Sequence, residues 1–571
     1  MDEARSGSNL QDGGEAIVQA FRSLGIDYVM ASPGSEWSAV WEAFANQQLT
    51  NKPGPTYLSC AHETLAVDMA IGYTLITGRM QVVMLHTGVG LLQGTLGLEA
   101  AQRGNIPMVV MSGESTSFGD DPAMDPGFQW QAILSTVGSP VRFAEPLVKY
   151  ANQTGSVATL HQQIVMAGEL AQRTPPGPAY LCVPIEVMRS PWTQPDELRE
   201  APPAPKLAPM ADDVAAIAEM LRAAKNPLII TEEAGRDPAG YAALVELAET
   251  LAIPVIDSRW AFYANFPKEH PLYAGAGLPP ILNEADLIVM LACRAPWYPP
   301  SATPKQARYV AIHDIPFKDH MVYQPVSAER FLEGDIPTAL TMLTEALKSG
   351  PLDETAIAAR RAEVKKVHDA HFAKVAAERA EAAQQAAIEP IHLAALLSEL
   401  APEGTIFVDE LITHRRFTST HLINRGPQSY FRAHGGLGNG LGTALGMKLA
   451  APERPVVTLL GDGTFMYNPV VQSLAFAQHQ GLPTLTVIFN NHGYNAMKLD
   501  HQGYYPEGVA AQTGNWLGHP VTEFDYAELA KPHGGWGRTV TTPAELAAAL
   551  PEAFEAIAGG RLAILNVHLA R

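Results

Sequence analysis

Short β-branched runs bounded by glycine or proline alternate with longer stretches of helical period from the beginning of the chain. The pattern predicts a helix over 14–24, a strand over 28–31, a glycine-containing turn and a helix from Ser38. It continues with a helix over 64–77 and strands over 81–85 and 108–111. Strands that alternate with helices in this way form parallel sheets covered on both faces. The apolar stretch 82–98 is broken by His86, Gln93 and four glycines, so it reads as a buried strand followed by a loop. It is too short and too interrupted for the ~20 apolar residues of a membrane span.

The same grammar occurs twice more. Residues 190–209, SPWTQPDELREAPPAPKLAP, are proline-rich and read as an extended linker. A second block follows, with helices over 212–224 and 241–251 and strands over 227–231, 254–257 and 286–291. Residues 353–387 are rich in alanine and charge and lack turn residues, so they read as a solvated connecting helix. From Pro390 a third block places strands at 406–408, 456–460, 485–490 and 562–568. The expectation is α/β throughout: three doubly wound parallel-sheet domains, at 1–190, 208–350 and 390–571, with a helical linker at 351–389. No sequence repeat of 20–50 residues accompanies the three similar blocks.

Composition narrows the partners. The 571 residues include 59 acidic and 39 basic side chains, a formal charge of −20, which repels nucleic-acid phosphates and anionic lipid. Apolar residues make 47% of the chain and charged ones 17%, leaving no signature of disorder. Cys60, Cys182 and Cys293 stand singly, so neither a disulfide framework nor a thiolate zinc site is expected. The first residues are charged, with no apolar run behind them, and together with the lone cysteines they point to a cytoplasmic protein.

The strongest chemical signal lies in the third block. The run 456–460 leads directly into Gly461-Asp462-Gly463, and 485–489 into Asn490-Asn491-His492-Gly493. Glycines at a strand's carboxyl end let phosphate oxygens approach the backbone. Asp462, Asn491 and the backbone carbonyl of Gly493 supply the oxygen donors that Mg²⁺ on a diphosphate takes. The plain alternative is a pair of ordinary turns, and the two motifs closing successive strands weigh against it.

These motifs resemble the fingerprint of the thiamine diphosphate (ThDP) enzymes, which opens with GDG and closes with NN. Here 26 residues, 464–489, separate Gly463 from Asn490, slightly more than the commonest family form, with the extra length around Tyr467-Asn468-Pro469. The resemblance extends to Glu63, in the run 59–66 (SCAHETLA), as the glutamate that bonds the N1′ nitrogen of the aminopyrimidine ring. It extends also to Gly436 and Leu437, in the run 434–440 (HGGLGNG), as the place where a bulky apolar residue props the cofactor in a bent shape. Without the family, Glu63 reads as a helix-start carboxylate and 434–440 as a glycine-rich helix entry.

One branch of the family resembles the chain further. The stretch 435–463 is similar to that of benzoylformate decarboxylases, as are Ser32-Pro33-Gly34-Ser35 and Leu85-His86-Thr87-Gly88. That similarity implies Ser35 as a contact for the substrate carboxylate and His86 as a proton carrier, against the plain reading of His86 as a core histidine. His62 and His434 are weaker candidates. No second histidine is identified in the middle block, where 294–298 (RAPWY) offers aromatic packing. The sequence 231–236 (TEEAGR) puts carboxylates where a flavin diphosphate would need a glycine turn, so FAD is not expected.

The resemblance implies a ThDP- and Mg²⁺-dependent enzyme that breaks or forms a C–C bond beside a carbonyl. The leading expectation is non-oxidative decarboxylation of a 2-oxo acid, with carboligation to a 2-hydroxy ketone as a further outcome. The enzymatic alternatives are an acetolactate synthase-type carboligase and a 2-hydroxyacyl thioester lyase; a non-catalytic ThDP-binding scaffold is the alternative of another class. Family members build their sites between subunits, which implies a homodimer or homotetramer. Trp37, Phe465 and Tyr467 are expected to line the pocket, and 494–525 reads equally as a lid or an irregular surface loop.

Overall fold

The computed structural model describes residues 11–115, 138–317, 327–423 and 426–570. Three parallel sheets of six strands dominate it. The first comprises β1 (Tyr28–Ser32), β2 (Thr56–Ser59), β3 (Gln81–Leu85), β4 (Met108–Glu114), β5 (Tyr150–Gln153) and β6 (Pro178–Pro184), in the order β2-β1-β3-β4-β6-β5. The second comprises β7 (Pro227–Thr231), β8 (Val255–Asp257), β9 (Tyr273–Ala276), β10 (Leu287–Leu291), β11 (Arg308–His313) and β12 (Arg330–Glu333), in the order β12-β11-β10-β7-β8-β9. The third comprises β13 (Ile406–Asp409), β14 (Tyr430–Arg432), β15 (Val456–Gly461), β16 (Leu485–Asn490), β17 (Trp536–Val540) and β18 (Ala563–His568), in the order β14-β13-β15-β16-β18-β17. Strands β3, β7, β10 and β16 are buried at every position, which is why they read as unbroken apolar runs rather than as alternating ones.

Away from its edges each sheet reverses its strand order, between β1 and β3, between β7 and β10, and between β13 and β15. In open α/β sheets such a reversal leaves a crevice at the carboxyl ends of the strands, where ligands bind. Edge strands were the least legible from sequence, because β5 and β14 are only four and three residues long.

The stretch expected to be a loop is a helix. After β3 the chain turns at His86 and runs as the helix Thr87–Arg103, with Gly88, Gly90, Gly94 and Gly97 inside it. Glycine costs about 1 kcal/mol per helical position relative to alanine. Here it allows close packing: a Cβ at Gly97 would lie 2.6 Å from Val67 Cγ1, and one at Gly94 3.0 Å from Leu85 Cδ1.

By contact the chain divides into two compact units. One takes the chain up to Pro205 together with His434–Pro452 and Asn468–Leu482, and the other takes the rest. In the first unit the helix Glu63–Thr77 packs along the helix Gly440–Ala450. In the second the 30-residue helix Glu354–Ala383 buries only Ile357, Val364, Val375 and Ala382, a narrow apolar stripe on a solvated rod. No helix among the described residues is long and apolar enough to cross a membrane.

Candidate active site

In the first unit, three neighbouring strand ends bring the expected residues together. Ser35 follows β1, Glu63 follows β2 and His86 follows β3, around the reversal of that sheet. Glu63 opens the helix Glu63–Thr77, whose first turn is capped by His62, with Nδ1 accepting the Thr64 amide at 3.2 Å. His62 is thereby a capping residue.

His86 caps the start of the next helix by backbone only; its side chain turns to Glu36. The ring Nδ1 lies 2.9 Å from both carboxylate oxygens, and Glu36 Oε1 also accepts the Thr87 amide at 3.0 Å. The bond to Glu36 raises the His86 pKa above the ordinary histidine value; burial opposes this, and the charges of Glu36 and Glu63 add to it. Gly34 and Gly113 make the arrangement possible, since a Cβ on Gly34 would overlap the His86 ring and one on Gly113 would overlap Glu36 Cγ. Gly90 stands between the partners: a Cβ there would meet His86 Cβ at 3.2 Å and Glu63 Oε1 at 3.4 Å. Ser35 is exposed beside this pair, while Glu36 is buried.

Sequence reasoning overlooked Glu36. Its signal was a carboxylate directly after the Pro33-Gly34-Ser35 turn, and what hid it was the 50-residue gap to His86.

The segment carrying Gly436 and Leu437 lies in the same unit. Gly435 and Gly438 take φ of +82° and +111°, which an L side chain rarely adopts, so a bulky residue is flanked by two positions that require glycine. Leu437 is half-buried and Gly436 exposed. The Asn439 amide Nδ2 donates to Asp68 Oδ1 at 2.9 Å, tying this turn to the helix that begins with Glu63. His434 is buried against Gly104.

In the second unit, the ends of β15 and β16 adjoin in the third sheet. Asp462 is buried, with Oδ1 accepting the Gly463 amide and Oδ2 the Gly493 amide, each at 2.9 Å. Burial holds its pKa above the usual carboxylate range, and those two amides oppose the shift. Asn491 is also buried; its Nδ2 lies 2.8 Å from His414 Nε2, while its Oδ1 has no partner among the described residues. The Gly493 carbonyl accepts the Asn495 amide at 2.8 Å, which leaves it one lone pair. His414 is a further residue missed in the sequence, where it followed β13 in a run of polar side chains without a motif.

These residues fit Mg²⁺ on a diphosphate. An unpartnered buried carbonyl oxygen, a buried carboxylate and a backbone carbonyl are the hard oxygen donors that cation takes. Gly461 has room for a Cβ, its nearest neighbour being Thr464 Oγ1 at 3.5 Å, so close approach of a ligand explains this glycine better than packing does. Gly463 has the opposite reason, because a Cβ there would overlap the Tyr494 ring.

The expected aromatic lining needs correction. Trp37 and Phe465 have no exposed surface. The Trp37 indole donates to the Leu85 carbonyl at 2.9 Å within the first core, and Phe465 packs edge-on against Tyr526. Of the three only Tyr467 is exposed. Segment 494–525 is neither wholly irregular nor bare: it holds the helices Asn495–Tyr504 and Val509–Thr513 and is pinned by the Tyr494 amide donating to the His519 carbonyl at 2.8 Å.

The middle sheet carries one more feature at its reversal. Glu232, buried after β7, turns Oε2 onto the Arg294 and Ala295 amides beyond β10, at 2.9 and 3.0 Å. A carboxylate of the chain itself thus fills the backbone donors of that crevice.

The sequence matches three descriptions of thiamine pyrophosphate (that is, ThDP) enzymes: the N-terminal TPP binding domain over residues 11–129, the central domain over 214–343 and the C-terminal TPP binding domain over 413–567. The chain is 26% identical to acetolactate synthase isozyme 3 large subunit of Escherichia coli, over 97% of this chain and 94% of that one. It is likewise 26% identical to benzoylformate decarboxylase of Pseudomonas aeruginosa, over 95% and 96%. Among solved structures, the ThDP-dependent 4-hydroxybenzoylformate decarboxylase of Rhodococcus jostii RHA1 shares the fold with a TM-score of 0.77 at 23% identity, covering 98% of this chain and 99% of that one. Benzoylformate decarboxylase from Polynucleobacter necessarius gives 0.76 at 22% identity over the same coverage. With all three domain patterns matched in order along it, the chain belongs to the thiamine diphosphate-dependent enzymes.

Proposed function

We infer that this enzyme decarboxylates a 2-oxo acid without oxidation and can pass the product to a second carbonyl compound to give a 2-hydroxy ketone. The observation that carries the reading is the His86–Glu36 pair beside Glu63, a proton-handling group at the mouth of the first sheet. Residues 1–190 take the pyrimidine-binding role, 208–350 the middle position, and 390–571 the diphosphate-binding role.

When bound, the cofactor supplies the electron sink for the pair left as the bond to the carboxylate breaks. Asp462, Asn491 and the Gly493 carbonyl would hold its Mg²⁺, and Leu437 would support its bend. Glu63 would hold a proton at the aminopyrimidine N1′. Glu36 fixes the His86 tautomer by accepting from Nδ1, leaving Nε2 to carry protons to and from substrate. Ser35, exposed beside them, is placed in the role of receiving the substrate carboxylate. The Glu232 carboxylate on the Arg294 and Ala295 amides supports a middle sheet that does without a flavin diphosphate. A homodimer or homotetramer in the cytoplasm is part of the same reading.

An acetolactate synthase-type carboligation is the second reading, favoured by the likeness to the Escherichia coli enzyme. The test is product analysis of the ThDP- and Mg²⁺-loaded protein on a panel of aliphatic and aromatic 2-oxo acids, with and without an aldehyde. CO₂ release with an aldehyde product supports decarboxylation, and acetolactate from pyruvate supports the second reading. Glu63→Gln should lower turnover by several orders of magnitude while the protein stays folded; an unchanged rate would refute the assignment. Bound cofactor with no turnover on any 2-oxo acid would instead point to hydroxyacyl thioesters or a non-catalytic role.

A further inference from the structure

Arg432 ends β14, on the same carboxyl edge of the third sheet as Asp409, Asp462 and Asn491. Its backbone amide donates to the Phe262 carbonyl at 2.7 Å, and the Ala264 amide donates to the Tyr430 carbonyl at 3.1 Å, which fixes the strand end against 262–264. The guanidinium is clasped between two rings, 4.5 Å from the Trp260 centroid and 4.6 Å from that of Phe262. Arg415 reaches the same indole at 5.8 Å.

Two cations share this place, and the nearby carboxylate charges of Asp409 and Glu232 form no ion pair with either among the described residues. Arg432 Nε and Nη1 and Arg415 Nε are buried with no hydrogen-bond partner, and neither guanidinium makes an ion pair among the described residues. The neighbouring carboxylates Asp409 and Glu232 make their hydrogen bonds to other groups, and their charges reach Arg432 without an ion pair. Asp409 accepts from the Leu411 amide, the Thr418 hydroxyl and the Tyr430 hydroxyl at 2.8, 2.7 and 2.9 Å, and Glu232 Oε2 serves Arg294 and Ala295, with Oε1 unpartnered. Burial and Arg415 bring the Arg432 pKa down to about 9, which still leaves it charged at neutral pH. A half-buried, charged, stacked guanidinium with N–H groups that lack a protein partner is pre-organised for an oxyanion. β13 separates β14 from β15, so the spot lies two strand spacings, about 10 Å, from the strand that presents Asp462. Arg432 thus leaves the sheet from a strand end other than those that present Asp462 and Asn491.

We propose that Arg432 and Arg415 bind a second anionic group on the substrate, a carboxylate or sulfonate remote from the reacting carbonyl, so that the preferred 2-oxo acids are dianions. This rests on the decarboxylase reading above. In a chain of net charge −20, a local cationic site also steers such substrates inward.

The experiment compares kcat/KM on matched pairs, 2-oxoglutarate with 2-oxovalerate and 4-carboxybenzoylformate with benzoylformate. The dianion of each pair should be favoured at least tenfold, and Arg432→Gln should lose at least tenfold more on the dianion than on its partner. Arg432→Lys should retain part of the preference, and Arg415→Gln makes the same comparison if Arg432→Gln does not fold. No preference in the unmodified enzyme, or an equal loss on both members, would overturn the proposal. A second arm needs no turnover: titration of the cofactor-loaded protein with glutarate, followed by calorimetry and by tryptophan fluorescence. Saturable binding that Arg432→Gln abolishes supports the site, and its absence overturns it. Glutarate binding without turnover of any 2-oxo acid would refute the decarboxylase reading and leave the anion site standing.

Discussion

His86 Nδ1 stands 2.9 Å from both carboxylate oxygens of Glu36, and the same carboxylate accepts the amide of Thr87, the residue that opens the helix. One buried side chain therefore orients the imidazole and fixes the turn that presents it. Each bond to the ionised carboxylate contributes on the order of 1.5–3 kcal/mol.

Glu36→Gln tests this pairing. Glu36 raises the His86 pKa, so its loss should lower that pKa, and burial should then carry it below the ordinary value. The limb of the kcat profile that reports His86 should move to lower pH, followed in parallel by the imidazole NMR signal. A raised folded-state pKa stabilises fully below the unfolded value of about 6.5 and the gain is lost as pH rises through the folded value. The stability gap between the unmodified protein and Glu36→Gln should accordingly narrow from pH 6 towards pH 9. A gap independent of pH would refute the pairing.

Asn491→Ala separates metal binding from folding. Among the described residues the Asn491 Oδ1 has no partner, and the side chain's hydrogen bond runs from Nδ2 to His414. Losing that bond leaves the buried His414 Nε2 without its partner and should cost the cofactor-free protein about 1–3 kcal/mol. A ligand at 100 times its Kd stabilises by about 2.7 kcal/mol, and the thermal shift produced by Mg²⁺ and ThDP together should largely vanish in the variant. An undiminished shift would take Asn491 out of the metal site.

His421 gives a pH signature of its own. Its Nε2 is 3.4 Å from Glu378 Oε2, a contact that would favour the charged ring. Burial, with Arg379, Lys268 and His371 adding positive charge, outweighs it and lowers the pKa to about 4. A depressed histidine pKa stabilises above the unfolded value of about 6.5 and is lost as pH falls towards the folded one. Thermal stability should therefore decline from pH 6.5 to pH 4, and less steeply in His421→Gln. Parallel declines would refute the assignment.

The three sheets and the Asp462–Asn491 motif were legible because parallel strands buried on both faces write unbroken apolar runs, and each run ended in its chemistry. What escaped was whatever depends on chain segments far apart. Glu36 finds His86 across 50 residues, His414 finds Asn491 across 77, and Arg432 at the end of β14 finds Trp260 in the connection between β8 and β9 of another sheet. Aromatic size misled in the other direction: Trp37 and Phe465 suggested a pocket wall and are core. Glycine was ambiguous, since at Gly435 and Gly438 it marks backbone conformation whereas in the helix Thr87–Arg103 it marks close packing.

The same ambiguity yields a prediction at Gly72. This residue lies in the helix that begins with Glu63, where a Cβ would overlap the Thr443 carbonyl of the helix Gly440–Ala450. Gly446 is its counterpart against the Met69 carbonyl, and a Cβ at Gly442 would lie 2.6 Å from Asp68 Cβ. On a free helix Gly72→Ala would stabilise by about 1 kcal/mol. Here the methyl meets backbone, which cannot swing aside, and such overpacking costs about 1–3 kcal/mol. Separating the helices also strains the 2.9 Å bond from Asn439 to Asp68, and so the turn that carries Leu437. Gly72→Ala should therefore lower Tm and weaken ThDP binding together, whereas a raised Tm with unchanged cofactor affinity would mean that the two helices do not form the rigid support for that turn.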